Sequence, residues 1–254
     1  TRIRPRQPWV LGNAIVALNP EACDGHENGG VYYGNSNVDV SGGGIWSNGC
    51  LKGNGHPFIV VDGAGIRYAG EFDPGNAIWD PYPPDDPTEY QIPPALYDPG
   101  EFDCFTHEVD NSDIPRDGTP LEPGLYCFQG DFIVNAHDKV IGEGVTFIVY
   151  GDITFNGKAL IQISAPQLAT AENDAIPGVL IYVPRDPPNA TCPDQTITIN
   201  GNSESYFVGL ILAPCADITL IGTGSSDSYN GQVVGWNVKV GGEADTSVIF
   251  NEKL

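Results

Sequence analysis

Short runs of alternating apolar and polar residues, separated by glycine, recur along the second half of the chain. Aligned on Phe132, Ile153, Ile197, Ile218 and Val238, these runs are spaced 21, 44, 21 and 20 residues apart. Alternation with a period of two predicts β-strands with one buried face, and self-similarity near 21 residues predicts a repeated structural unit. The interval of 44 residues corresponds to two units, or to one unit with a long insertion.

A second apolar run precedes each aligned run, so every unit supplies at least two strands. These upstream runs occupy residues 125–128, 146–150, 179–183, 209–213 and 232–235. Such a unit buries its inward residues only against the units above and below it. The pattern therefore predicts an all-β protein built as a right-handed parallel β-helix. The Asn-Gly pairs at 156–157 and 200–201 also suit two-residue hairpins, but the near-constant spacing favours stacked units.

Residues 1–72 carry the same glycine-terminated runs in weaker register, whereas residues 73–124 interrupt the pattern. Positions 73–123 hold 11 of the 22 prolines, and positions 71–122 hold 14 of the 33 acidic residues with Arg116 as the single base. Because proline donates no hydrogen bond to a β-ladder, we expect an extended, acidic, proline-rich excursion over one face of the β-helix. Residues 185–194 form a shorter insertion. The predicted organisation is an N-terminal arm, residues 1–10, followed by one domain, residues 11–254.

The composition excludes several classes of function. The chain has 254 residues and a formal net charge of −22, which argues against the clustered cations that a nucleic-acid surface needs. With 32 glycines, 22 prolines and no methionine, long helices are not expected. No apolar stretch reaches the roughly 18 residues of a membrane span, and the first residues lack the apolar core of a signal peptide. We therefore expect that any export signal or anchor has been removed or lies outside this chain.

Six cysteines in a strand-rich chain indicate an oxidising compartment, so the predicted location is extracellular or at the cell surface. Sequence neighbours are 27, 23 and 23 residues apart, which is close to one unit. Residues one unit apart in a parallel β-helix lie about 4.8 Å from each other, a separation that suits a disulfide. No spacing typical of a zinc site occurs. Among the possible connectivities, the simplest joins neighbours: Cys23–Cys50, Cys104–Cys127 and Cys192–Cys215.

Six segments that span most of the chain carry a resemblance to a known family: 17–23 (ALNPEAC), 38–55 (VDVSGGGIWSNGCLKGNG), 121–134 (LEPGLYCFQGDFIV), 142–166 (GEGVTFIVYGDITFNGKALIQISAP), 177–183 (PGVLIYV) and 196–222 (TITINGNSESYFVGLILAPCADITLIG). Together they resemble the extracellular β-helix region of Tad (Flp) pilus-assembly proteins of the TadG-like kind. The resemblance implies export across an inner membrane, tethering by an upstream hydrophobic helix, and association with an adhesive pilus. No such helix occurs in this sequence, which leaves tethering and polymerisation open. The resemblance implies no catalytic residue.

No arrangement typical of catalysis stands out. The chain has no Gly-x-Ser-x-Gly nucleophile motif, and its four histidines share no metal-binding spacing. Asp131, Asp152 and Asp217 each lie one residue before an aligned strand residue, so they form a column. Stacked carboxylates repel each other unless they face water or a cation. We interpret the column as a solvated corner, with calcium binding or catalysis as the alternative.

Candidates for ion binding and glycosylation lie in the two insertions. Residues 110–118 carry oxygen donors at Asp110, Asp113 and Asp117, and hard oxygen ligands on a loop suit calcium. Their spacing differs from that of an EF-hand, so a plain acidic loop is the competing interpretation. The sequence predicts no other cofactor. Asn189 begins a single N-x-T glycosylation sequon in the second insertion.

Two classes of function fit these observations. The leading hypothesis is an exported, non-enzymatic structural or adhesive protein, whose partners are further copies or components of a pilus or cell surface. Arg2, Arg4 and Arg6 precede Trp9 in the arm and complement the acidic excursion, so the arm is a candidate for self-assembly. A frayed terminus or a linker is the alternative for the arm. The second class is a carbohydrate-active β-helix enzyme or a glycan-binding module, for which we expect a groove with converging acids and at least one base.

Overall fold

The computed structural model describes residues 12–21, 23, 29–82, 84, 87–88, 90–93, 104–167, 174–185, 191–222 and 229–250. Within these residues the protein is all-β, with 21 strands and no helix. Nine strands form an N-terminal block: β1 (Asn13–Ala17), β2 (Gly30–Gly34), β3 (Asn37–Ser41), β4 (Gly44–Ser47), β5 (Leu51–Gly55), β6 (Phe58–Asp62), β7 (Ile66–Tyr68), β8 (Phe72–Asp73) and β9 (Ile78–Asp80). The others form a C-terminal block: β10 (Asp117–Leu121), β11 (Gly124–Phe128), β12 (Phe132–Val134), β13 (Lys139–Glu143), β14 (Val145–Val149), β15 (Ile153–Phe155), β16 (Leu160–Ser164), β17 (Val179–Tyr182), β18 (Gln195–Asn200), β19 (Tyr206–Ile221), β20 (Tyr229–Gly242) and β21 (Thr246–Ile249).

The strands pair in parallel to form three ladders. Ladder A runs in the order β11, β14, β17, β19, β20, β1, β4, β7. Ladder B runs β12, β15, β18, β19, β20, β2, β5, β8. Ladder C runs β10, β13, β16, β19, β20, β21, β3, β6, β9. Successive strands of the chain thus fall in different ladders, and each complete layer of the stack takes one strand, or part of one, from each ladder.

The register predicted from the sequence is confirmed. Phe132 pairs with Ile153, Ile153 with Ile197, Ile197 with Ile218, and Ile218 with Val238. Because β15 pairs directly with β18, the interval of 44 residues is one unit with an insertion. Each unit contains three strands, one more than the two apolar runs show.

The order of the layers along the stack differs from the order of the chain. The last long strand, β20, pairs with β1 and β2, so the N-terminal block continues the ladders of the C-terminal block. The layer at this junction consists of β21, β1 and β2, and therefore combines both ends of the described chain. From β1 the chain winds to one end of the stack at β9, crosses to the other end at β10, and winds back.

Glycines let β19 and β20 continue from ladder C into ladder A. Gly209 and Gly231 pair with each other where both strands turn this corner, and their φ angles are +130° and +159°. A Cβ atom on Gly231 would meet the carbonyl group of Gly209 in the adjacent layer. Only glycine combines this backbone conformation with so close an approach.

The interior between the ladders is apolar and rich in aromatic rings. Phe132, Phe155, Phe207 and Tyr229 follow one another through the C-terminal block, with ring centroids 5.3, 6.0 and 5.2 Å apart. Burial of one such side chain contributes on the order of 2 kcal/mol. The rings therefore supply much of the contact between successive layers.

Ladder A is buried on both sides, unlike ladders B and C. Every residue of β1, β4, β14 and β17 is buried, whereas β3, β6 and β13 alternate between buried and exposed positions. A second apolar cluster covers the outer side of ladder A, and Ile92 of the excursion is part of it. Ile92 and Cys104 of the excursion therefore contact the outer side of ladder A, whereas Ile114 reaches the main core. The bounds of the excursion are narrower than the predicted 73–124, because β9, β10 and β11 are strands of the ladders and the crossing is limited to residues 81–116.

Candidate functional site

Three disulfides join the cysteines that the sequence spacing predicts to be neighbours. The Cα atoms are 4.9, 5.6 and 4.9 Å apart in Cys23–Cys50, Cys104–Cys127 and Cys192–Cys215. Each bridge attaches a segment between strands to a residue within or beside a strand. Three intramolecular disulfides fit an extracellular or otherwise oxidising environment.

The column of carboxylates lies beside ladder B, where it connects the layers. An Oδ1 atom of Asp131 accepts the Asp152 N–H at 2.9 Å. Asp152 in turn accepts the Thr196 N–H at 2.7 Å, and Asp217 accepts the amide of Asn237 at 2.6 Å. Each acid is therefore hydrogen-bonded to the next layer of the stack. One oxygen of each acid accepts a hydrogen bond from a donor of the protein, and calcium binding or catalysis stays the alternative prediction.

Asp217 and Asn237 continue this column to the junction between the two blocks. Burial raises the pKa of the Asp217 carboxyl above its ordinary value, and the hydrogen bond from Asn237 opposes the rise. Asn237 is buried, and its Oδ1 accepts the amide of Asn19 at 2.9 Å as well as the Gly29 N–H. One asparagine thus links β20 to the segment between β1 and β2. Sequence reasoning missed this role, because Asn19 and Asn237 lie 218 residues apart.

The predicted calcium ligands belong to capping turns. Asp113 Oδ2 accepts the Asp110 N–H at 2.8 Å. Asp117 accepts the Thr119 N–H at 2.9 Å, and this hydrogen bond lowers the pKa of Asp117. Across the part of the chain that the structure describes, no three His, Cys, Asp or Glu side chains form a group able to hold a metal ion. Asp113 and Asp117 each accept a backbone amide of a turn, and the calcium site at Asp110, Asp113 and Asp117 stays a prediction.

The segment 107–116 closes one end of the stack, which we call the closed end. Ile114 is 2% exposed and belongs to the main core. The Arg116 guanidinium lies 5.5 Å from the centroid of the Phe132 ring. Its Nη2 donates to Asn111 Oδ1 at 2.7 Å, and the same oxygen accepts the Ile133 N–H at 3.1 Å. An aliphatic side chain, a cation and an amide together cover the last layer.

Backbone pairing completes the closed end. The Cys127 N–H of β11 donates to His107 O at 2.9 Å, and the Val109 N–H donates to Cys127 O at 2.8 Å. Cys127 also carries the disulfide to Cys104. The first strand of ladder A is thus paired by the segment 107–109, which is the end of the acidic excursion. The proline and acid content of this region indicated an excursion, but not its role as a cap.

The opposite end of the stack, which we call the open end, is formed by β7, β8 and β9. Trp79 is 3% exposed, and its ring centroid lies 5.3 Å from the rings of both Tyr32 and Phe72, with edge-on geometry. The indole therefore covers the core. Among the described strands, β9 pairs only with β6.

Exposed apolar and acidic side chains adjoin this unpaired strand. Phe58 and Ile78 are paired in register on β6 and β9, and they are 39% and 59% exposed. Asp39, Asp62 and Asp80 are exposed on β3, β6 and β9 of the same ladder. We call these five residues the open-end surface. It combines a strand edge, an apolar pair and three negative charges.

A buried amide attaches the excursion to the N-terminal block. Asn48 Nδ2 donates to Leu18 O at 2.9 Å and to Ile92 O at 2.7 Å. Its Oδ1 accepts from Trp46 Nε1 at 2.9 Å and from the Ile92 N–H at 2.7 Å. All hydrogen-bonding positions of the amide are therefore used. Nothing in the local sequence around Asn48 indicates this role.

Two sets of predicted site residues lie outside the described residues. These are the assembly residues Arg2, Arg4, Arg6 and Trp9 of the arm, and the sequon residue Asn189. Both remain predictions. The structure brings together the disulfide cysteines and the column of acids, and it places Asp110 and Asp113 in one hydrogen-bonded turn.

In the described part of the chain no helix is long and apolar enough to cross a membrane. Comparison with known proteins gives no match: no family model, no curated protein and no solved structure matches the chain.

Proposed function

We propose that the chain is an exported, non-enzymatic structural or adhesive module, folded as a right-handed parallel β-helix, of a pilus or other cell-surface filament. The observation that carries this proposal is the use of Asp131, Asp152 and Asp217 as hydrogen-bond acceptors between layers. A general acid or a cation ligand needs a carboxylate that is available to substrate or ion. The most regular acid array in the chain serves stacking, which favours a scaffold over a carbohydrate-active enzyme.

The disulfides and the three ladders support the same proposal. Three bridges suit a protein that works outside a reducing compartment. Ladder A is covered by the excursion and insertions, while ladders B and C present alternate side chains outward along the stack. Such a molecule offers long regular surfaces for contact with partners. The resemblance to the β-helix region of TadG-like proteins adds the pilus system to the proposal.

Self-assembly through the N-terminal arm is part of this proposal. Arg2, Arg4 and Arg6 give the arm three positive charges, whereas the whole chain has a net charge of −22. Opposite charges of this kind guide association between copies. Trp9 supplies an apolar anchor of the type that is enriched at interfaces.

A glycan-binding module is the second candidate function. Tyr82 and Tyr90 are 64% and 54% exposed in the excursion. Exposed rings mark interaction sites more often than chance surface positions do, and flat rings stack on the apolar faces of sugars. Binding without turnover would place the chain among adhesins that recognise glycans.

The proposal is tested with the oxidised full-length chain. Polyuronates and neutral polysaccharides are incubated with it, and new reducing ends and unsaturated uronates are measured; we expect neither. Parallel samples with and without residues 1–10 are examined by electron microscopy and light scattering, and we expect assemblies from the full chain alone. Catalytic turnover would contradict the structural role. Equal assembly of both samples would remove the arm from the proposal.

A further inference from the structure

We propose that the open-end surface binds residues 1–10 of a second copy of this chain, which add as a parallel strand beside β9. The inference rests on the self-assembly proposed above and specifies its site. Addition of a strand to an exposed sheet edge is a general mode of peptide recognition, in which the backbone supplies affinity and alternate side chains supply specificity.

The first step of the argument is the unpaired edge of β9. At the closed end, the segment 107–109 pairs with β11 of ladder A, and β10 of ladder C pairs with β13 alone among the described strands. At the open end, β9 pairs with β6, and no other described strand pairs with it. Protein edges are commonly protected by lysine, proline or a bulge. Strand β9 has only three residues, ends at Asp80 and is followed by Pro81, but the side chain of Ile78 beside the edge is 59% exposed.

The second step concerns charge, which decides what kind of partner fits. Asp39, Asp62 and Asp80 are exposed around the apolar pair Phe58 and Ile78. Two open ends that met each other would place these acids together, and like charges across an interface cost several kcal/mol. The partner is therefore basic, with apolar residues between its charges.

The third step identifies that partner within the sequence. The first ten residues read TRIRPRQPWV, and the first 20 contain no acid. In an extended strand, alternate residues share a face, so Arg2, Arg4 and Arg6 face one side and Ile3 the other. With Arg4 beside Asp80, Ile3 lies beside Trp79 and continues the cover of the core. The cations then face the acidic outer side of ladder C.

The fourth step describes the assembly that results when the arm comes from another copy. The arm leads into β1, which belongs to the junction layer inside the stack, whereas β9 lies at the stack end on a different ladder. A contact between an internal layer of one copy and the end of the next is heterologous. Repetition of such a contact produces an open string of copies, which is the assembly that a surface filament requires.

Charge reversal on the full chain tests the site. The arm-reversed variant carries Arg2→Glu, Arg4→Glu and Arg6→Glu, and the end-reversed variant carries Asp39→Lys, Asp62→Lys and Asp80→Lys. A matched control, Glu108→Lys, Glu122→Lys and Glu143→Lys, makes the same charge change with exposed acids of β10 to β13 and the adjoining cap. Light scattering measures mass against concentration at low and high salt. Amide hydrogen exchange of Trp79 reports on the strand edge, because the Ile78 N–H already donates to Pro57 O and successive amides of a strand face opposite sides.

We expect the wild-type and control chains to exceed the single-chain mass of 27.1 kDa as concentration rises. Each reversed variant should stay at that mass up to at least tenfold higher concentration. An equimolar mixture of the two should recover assembly, because each then meets an arm or an end of opposite charge. The Trp79 amide should be protected only in assembling samples.

Three outcomes overturn the inference, and they differ from one another. Assembly that is lost in the arm-reversed variant but kept in the end-reversed variant rejects this site and leaves self-assembly standing. A wild-type chain that stays at 27.1 kDa, with the Trp79 amide protected until residues 1–10 are deleted, shows that the arm binds within its own copy. A wild-type chain that stays single and unprotected rejects self-assembly through the arm altogether.

Discussion

The two ends of the stack finish the same three ladders in different ways. At the closed end, Arg116 and Asn111 satisfy polar groups of the last layer, and the Cys104–Cys127 bridge holds the cap in place. At the open end, Trp79 covers the core, but β9 keeps an edge without a described partner. A stack of identical layers has no intrinsic limit, so each end needs its own solution. At each end a residue of the crossing donates to ladder A, Val109 to Cys127 O and Thr88 to Tyr68 O, and the ladder C strands β10 and β9 each pair with one described strand. The ends therefore differ in the residues that cover the core.

The largest loss in the free energy of unfolding should follow truncation of the apolar side chain that covers the core at each end. Trp79→Ala is expected to lower the free energy of unfolding by about 4 kcal/mol, and Ile114→Ala by about 3 kcal/mol, because both leave cavities in the core. Urea denaturation of the oxidised proteins measures both. The hydrogen bonds and the disulfide of the closed end should hold the rest of that cap in place. A loss below about 1 kcal/mol for Trp79→Ala would show that the indole is not needed to cover the core.

Removal of the disulfide at the closed end should open that end alone. Cys104→Ser with Cys127→Ser opens a loop of 23 residues and is expected to cost about 3 kcal/mol. Cys192→Ser with Cys215→Ser removes a bridge of equal sequence separation beside β18 and is the matched control. Exchange of the backbone amides at positions 109 and 127 should accelerate in the first variant and not in the second. Equal exchange in both variants would contradict a local role of the bridge in the cap.

A smaller effect is expected from the cation of the closed end. Arg116→Gln removes the contact with the Phe132 ring and a charge-assisted hydrogen bond to Asn111, which together contribute about 1.5 kcal/mol. Arg116→Lys keeps the charge but not the planar guanidinium, so it should recover only part of the loss. Thermal unfolding of the three proteins gives the order wild type, Lys, Gln. Full recovery by lysine would show that charge alone matters.

The smallest effect is a gain at the open end. The Tyr32 ring contacts Trp79, and its hydroxyl is buried without a hydrogen-bond partner among the described residues. Tyr32→Phe is therefore expected to raise the free energy of unfolding by about 1 kcal/mol. Burial raises the pKa of Tyr32 well above its ordinary value. Above about pH 10 the unfolded chain loses this proton while the folded chain keeps it, so stability falls as pH rises.

Denaturation between pH 9 and 12 measures this slope. Tyr32→Phe should reduce the fall by up to about 1.4 kcal/mol for each pH unit above pH 10. Tyr229→Phe serves as a matched variant in the middle of the stack, since burial raises the pKa of Tyr229 in the same direction. An unchanged slope in both variants would show that neither phenol is kept neutral by burial.

The sequence predicts contacts between neighbouring layers well where the two residues are about one unit apart in the chain. The aligned positions from Phe132 to Val238 and the three disulfides follow from spacing, because each links neighbouring units of about 21 residues. The two apolar runs of each unit do not reveal its third strand. In ladder C, a strand such as β13 combines glycine and charged residues with two apolar residues. Hydrophobic periodicity alone does not separate such a strand from a turn.

The arrangement of the blocks and the use of the acids lie beyond local patterns. The pairing of β1 with β20 joins segments about 200 residues apart, and the composition of either strand does not specify its partner. Likewise, Asp113 and Asp117 have the residue type of calcium ligands, but the backbone geometry of their turns directs them to amides. The chemistry of a site depends on the orientation of its side chains, which cannot be predicted from the residue types of a single sequence.

The junction layer of β21, β1 and β2 has a consequence for biogenesis. Ile15 of β1 pairs with Val233 of β20, and Thr246 of β21 pairs with Val38 of β3. The block that is synthesised first therefore cannot complete its innermost layer until the final strand has been made. Contacts between such distant segments slow folding. The junction layer is therefore expected to close late in folding, after both blocks have been made.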